Sequence, residues 1–133
     1  MIKLAFCLRR LPTLSREAFQ AYWRNTHADL VMGLQPVLGF RRYVQFHSGF
    51  DKLSAQAAAF RQSPEPFDGI AELWWDDVDT MLRASATAAA KSAFAALYED
   101  EKNFIDLANS PMWYGTEHEI YNADETMSAD ISE

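Results

Sequence analysis

The sequence contains a single cysteine, Cys7, so one chain can close no internal disulfide and build no thiolate metal site. Cations are also sparse: 12 Lys and Arg stand against 19 Asp and Glu, a formal charge of −7, and no stretch gathers them into a phosphate-neutralising face. Nucleic acid is not an expected partner. No apolar run approaches membrane-spanning length, and residues 1–8 carry too little apolar length before Arg9 and Arg10 to act as a signal peptide. A cytoplasmic protein with no membrane association is expected. Gly-rich phosphate loops, nucleotide fingerprints and serines in a nucleophile-elbow setting are missing too. His27, His47 and His118 lack the i, i+2 or i, i+4 spacing that would put two metal ligands on one face, so neither metal nor cofactor is expected.

What the chain does have is apolar and aromatic mass. Its 133 residues are 49% hydrophobic, enough for one core but too few for two domains. Four Trp, five Tyr and nine Phe exceed what such a core needs, so some should line a ligand pocket or a subunit interface.

An apolar run over 2–10 reads as a first strand, broken by Pro12. Ser15 is a candidate N-cap with Glu17 in the first helical turn, followed by a stripe of Phe19, Tyr22, Trp23, Thr26, Leu30 and Leu34, with His27 one turn beyond Trp23. A second strand over 40–47 separates Phe40, Arg42, Val44 and Phe46 from Arg41, Tyr43, Gln45 and His47. Residues 50–62 read as a short helix or ordered loop, a candidate lid. The third strand, 67–75, puts Asp68, Ile70, Glu72 and Trp74 on one face. Asp76 or Asp77 can cap a second helix with Val78, Met81 and Leu82 inward, continuing through the alanines to Ala96 and breaking near 99–102. A fourth strand is expected over 112–121, and 122–133 reads as an acidic, loose tail after the 1–121 domain.

This order is that of an α+β ferredoxin-like βαββαβ sandwich, a four-stranded antiparallel sheet with both helices on one face. The other face then needs a cover, and the same face of a second copy under two-fold symmetry is the simplest one, giving an expected homodimer.

Phe19-x-x-Tyr22-Trp23-x-x-x-His27, the segment Asp68-Gly69-Ile70-Ala71-Glu72-Leu73-Trp74 and the later Asp100-Glu101-Lys102-Asn103-Phe104 together resemble the EthD family of the dimeric α+β barrel superfamily. The likeness extends over roughly residues 1–121. It implies a two-fold dimer forming an α+β barrel. It implies relatives named for ether-degradation genes, some of which look like polyketide dehydratases or decarboxylases, among wider barrels that include isomerases, cyclases, monooxygenases and haem-degrading enzymes. Fold leaves the reaction open. The family's histidine corresponds to His27 and its strand-three acid to Asp68.

His27 is the candidate acid/base, because imidazole exchanges protons near neutrality. Asp68 either orients that ring or caps a turn at Asp68-Gly69. Glu72, beside Ile70 and Trp74, is either a desolvated acid or, slightly favoured, the salt-bridge partner of Arg42. Tyr43 offers a hydroxyl to a substrate oxygen or to a structural partner, and Tyr22, Trp23 and Trp74 are candidate apolar walls. The leading expectation is a cofactor-independent enzyme moving protons on a small aromatic or ring-containing metabolite, of isomerase, dehydratase, cyclase or decarboxylase type. Cofactor-independent oxygenation, or non-catalytic binding of a hydrophobic metabolite, are the competing readings. All of them require the His27 ring to face the sheet.

Overall fold

The computed structural model describes residues 1–124; of the expected tail, 125–133 lie outside the described residues. Four strands, β1 (Ile2–Leu8), β2 (Arg42–His47), β3 (Gly69–Trp75) and β4 (Met112–Gly115), form one antiparallel sheet in the order β2-β3-β1-β4. This is the ferredoxin-like order, as the alternation of strands and helices predicts. Tyr43, Leu73, Leu4 and Tyr114 stand abreast across the sheet on the face that packs against the helices. Arg42, Trp74, Lys3 and Gly115 stand abreast on the outer face.

The first helical region comprises α1 (Arg16–Tyr22), a π-helical turn (Trp23–His27), α2 (Ala28–Gly33) and α3 (Gln35–Leu38). Ser15 caps α1 by accepting from the Ala18 N–H at 3.1 Å. Phe19, Trp23, His27 and Val31 recur every four residues, and all are buried. In a regular α-helix each such step overshoots one turn by about 40°, so the row would swing away from the sheet. The wider π turn takes up that overshoot. It also explains a departure from the expected stripe, since Thr26 is exposed and Val31 rather than Leu30 is buried.

The expected second helix is two: α5 (Val78–Ser85), capped by Asp77, and α6 (Ala88–Glu101), where the Thr87 hydroxyl accepts from the Ala90 N–H at 3.0 Å and starts a new helix. Of Val78, Met81 and Leu82, only Met81 is buried. Ala90 and Ala93 are buried where α6 packs on α3, small side chains permitting close approach. The segment 50–62 contains α4 (Asp51–Arg61), tied down by a bidentate Arg16–Asp51 ion pair at 2.6 Å. No residue of α4 borders the cavity described below, so it does not stand as a lid over it.

The fourth strand ends at Gly115, which pairs with Lys3, rather than at residue 121 as expected. The chain instead crosses the outer face, where Glu117 accepts from the Trp74 indole N–H and pairs with Lys3 at 3.3 Å. The outer face is therefore partly covered by its own chain, with Phe46 and Trp113 left exposed. No described helix is long and apolar enough to cross a membrane.

Candidate active site

Two apolar clusters lie between sheet and helices. One is built on Leu4, Val31, Leu38, Phe40 and Trp75, the other on Phe6, Leu8, Phe19, Trp23, Phe104 and Ile105. Where they meet they leave a cavity of about 290 Å3. Small-molecule pockets run from about 300 to 1,000 Å3, so this one suits a small ring system. Ala71 keeps part of the sheet wall low. Half-exposed wall residues, Phe94 and Tyr98 on α6 with Met112 and Tyr114 on β4, mark its mouth.

His27 borders this cavity and is 6% exposed. Its Nδ1 lies 2.7 Å from Asp100 Oδ2 at the end of α6. The Tyr22 hydroxyl donates to Asp100 Oδ1 at 2.5 Å, and Asn103 Nδ2 donates to the same oxygen at 3.3 Å. Burial pushes the Asp100 carboxyl up, but the hydrogen bonds from Tyr22, His27 and Asn103 outweigh it and hold the group below its ordinary value. For His27, burial dominates over the nearby carboxylate and lowers the imidazole below its usual value. At neutral pH the pair is thus a neutral ring and an ionised acid. An ionised carboxylate only accepts, so Nδ1 carries the ring proton and Nε2 keeps its lone pair for a ligand.

Glu101, the next residue, also borders the cavity. Burial, aided by the charge of Asp100, pushes its carboxyl up to about 7. No ion pair or side-chain hydrogen bond holds it among the described residues. Tyr43 borders the cavity too; its hydroxyl accepts from Gln45 Nε2 at 2.7 Å, and burial raises it against the hydrogen bonds of Gln45 and Trp23. His47 stacks on Trp23 with ring centres 4.3 Å apart. That indole lies against the start of β3: a Cβ on Gly69 would collide with its ring and come within 2.8 Å of the Phe46 carbonyl oxygen.

Of the residues singled out from sequence, the structure brings His27, Trp23 and Tyr43 together around the cavity. Asp68 is elsewhere. It accepts from the Arg10 backbone N–H at 2.8 Å and pairs with the Arg10 guanidinium at 2.5 Å, so Asp100 holds the place beside the imidazole expected for it. Tyr22 backs Asp100 and packs on Phe104 rather than forming a wall. Glu72 and Trp74 lie on the outer face, and Trp75 is the β3 tryptophan that borders the cavity, along with Trp23. Glu72 pairs with Lys3 at 3.4 Å, not with Arg42, whose guanidinium sits over the Trp74 ring. His118 lies beyond the end of β4. Among the described residues no three His, Cys, Asp or Glu side chains gather as a metal site. Sequence reasoning missed the roles of Asp100 and Glu101; the signal was two adjacent acids closing an alanine-rich helix.

Comparison with known proteins agrees with this architecture. An EthD family protein from Bacillus halodurans has a TM-score of 0.58 at 22% identity, over 89% of this chain and 99% of that one. A dimeric protein of unknown function with a ferredoxin-like fold from Bacteroides fragilis has a TM-score of 0.55 at 8% identity, over 87% and 95%. A candidate antibiotic biosynthesis monooxygenase from Deinococcus radiodurans has a TM-score of 0.50 at 16% identity, over 92% and 97%. At these identities the likeness is one of fold. A search of curated proteins finds no match. The EthD domain family matches residues 11–108, a span that holds His27, Asp100 and Glu101 together with most of the cavity wall, and the chain belongs to the EthD family.

Proposed function

We propose that the protein is an enzyme that moves protons on a small ring-containing molecule held in the cavity, of isomerase, dehydratase, cyclase or decarboxylase type. One observation carries this reading: a buried, neutral imidazole whose Nδ1 is committed to Asp100 borders an apolar cavity of substrate size. Nε2 of His27 acts as the general base, taking a proton from a carbon next to a carbonyl or from a hydroxyl, and returns it later in the cycle. Asp100 is a positioning residue that fixes the tautomer and stabilises the transient imidazolium. The apolar walls exclude water and strengthen each of these interactions. Proton transfer of this kind lies within reach of the chain's own side chains.

Oxygenation of an electron-rich phenol starts from the same base, which would form the phenolate, and it stands as the second reading. The working unit is a two-fold homodimer, supported by Phe46 and Trp113, which remain exposed on the outer sheet face. Solvent-deuterium exchange into cyclic ketones and hydroxyarenes, followed by NMR, tests the enzymatic reading. Wild type should catalyse exchange, and His27→Gln should slow it by about 10²- to 10⁴-fold while keeping the fold. Binding without exchange would make the chain a metabolite-binding protein, and full activity in His27→Gln would remove the base.

A further inference from the structure

We propose that the cavity selects uncharged hydroxy- or keto-arenes over carboxylated ones, and that Glu101 sets this preference. The inference rests on the reading of the cavity as a substrate site. Its walls are aromatic and aliphatic, and their polar groups are His27, Tyr43, Tyr98, Glu101 and Tyr114. No Lys or Arg borders it among the described residues. Many of the chain's cations are engaged away from it: Lys3 and Arg42 on the outer face, Arg10 with Asp68, Arg16 with Asp51, Arg41 with Asp76, and Lys102, the neighbour of Glu101, with Glu99.

A carboxylate entering such a space would lose its hydration and find no counter-charge. It would meet an acid instead. Asp100 and Glu101 are consecutive, so the helix turns them apart by about 100°: one stands behind the imidazole, the other borders the cavity. An uncharged ligand needs only a hydrogen bond from that carboxyl. Protonated Glu101 donates to a carbonyl oxygen, and ionised Glu101 accepts from a hydroxyl. The groups that share the cavity with it are His27 from the π turn, Tyr43 from β2, Tyr114 from β4 and Tyr98 from its own helix, with Asp100 alongside. Burial lowers His27 and raises Tyr43 and Tyr114, moving these groups away from Glu101 on either side. Rejection of carboxylates therefore strengthens as pH rises through about 7.

Calorimetric titration of the full chain with 2-naphthol and 2-naphthoate tests this, since a phenol and a carboxylate each keep one charge state between about pH 6 and 8. Wild type should bind 2-naphthol at least about tenfold tighter than 2-naphthoate at the upper end of that range. The gap should narrow at the lower end and in Glu101→Gln. Equal or tighter binding of 2-naphthoate by wild type overturns the charge selection while leaving the cavity as a ring-binding site. A gap unaffected by pH and by Glu101→Gln overturns the role of Glu101, and if the variant does not fold, an NMR titration of wild type in which the Glu101 carboxyl ionises near its ordinary 4.5 does so. Absence of binding by both probes overturns the reading of the cavity, and this inference with it.

Discussion

Asp100 and Glu101 carry nearly the same side chain one peptide apart, yet the fold gives them opposite chemistry. Asp100 receives hydrogen bonds from Tyr22, His27 and Asn103 and is held ionised. Among the described residues Glu101 has no such donors; it shares its surroundings with apolar walls and is pushed up to about 7. The difference shows that burial alone does not decide the charge of an acid; the donors it meets on being buried do. Pairs of groups driven apart in this way are a mark of proton-handling sites.

The most disruptive way to break this contrast is to delete the satisfied acid. Asp100→Ala leaves the Tyr22 hydroxyl and His27 Nδ1–H without their acceptor, each worth roughly 1–3 kcal/mol when stranded, so a loss of about 2–4 kcal/mol is expected in denaturant unfolding. The imidazole titration, followed by NMR, should move further down. A loss below about 1 kcal/mol with an unmoved titration would mean that the carboxylate is dispensable.

Neutralising the unsatisfied acid sharpens the contrast. Glu101 lies above its ordinary 4.5 in the folded chain, so the stability tied to its proton is intact below about 4.5 and is lost as pH rises through about 7. Glu101→Gln should lack that decline, gaining on wild type by on the order of 2–3 kcal/mol across this window in unfolding experiments repeated over pH. Parallel curves for the two proteins would place the Glu101 carboxyl in water. The mildest change is Tyr22→Phe, which removes one of the donors to Asp100 and should cost about 1 kcal/mol, with a small rise in the Asp100 titration.

The architecture was legible because the strands carry a period-two pattern and α1 and α5 start on capping residues, Ser15 and Asp77, and neither signal depends on distant contacts. His27 was legible for the same reason, as one of a row of apolar positions on a single helix. Its partner was not. Asp100 lies 73 residues further on, and its approach depends on where the end of α6 comes to rest against the first helix. Alternation grouped Ile70, Glu72 and Trp74 on one face of β3, with Asp68 lying just before the strand, but such a pattern does not say which face looks at the helices; hence Trp74 was chosen where Trp75 lines the cavity. The length of β4 was hidden too, since the alternation of 112–121 does not show that Glu117 leaves the ladder for Trp74 and Lys3 on the outer face.

Gly69 extends the argument to a position with no side chain at all. Because the Trp23 ring occupies the volume where a Cβ would stand, the position of one cavity wall depends on a hydrogen atom on β3. A methyl group there would have to displace the indole, one of the cavity's walls, as well as the Phe46 carbonyl oxygen. The seat of a tryptophan on the first helix is thus reserved by the smallest residue of a strand 46 positions further on.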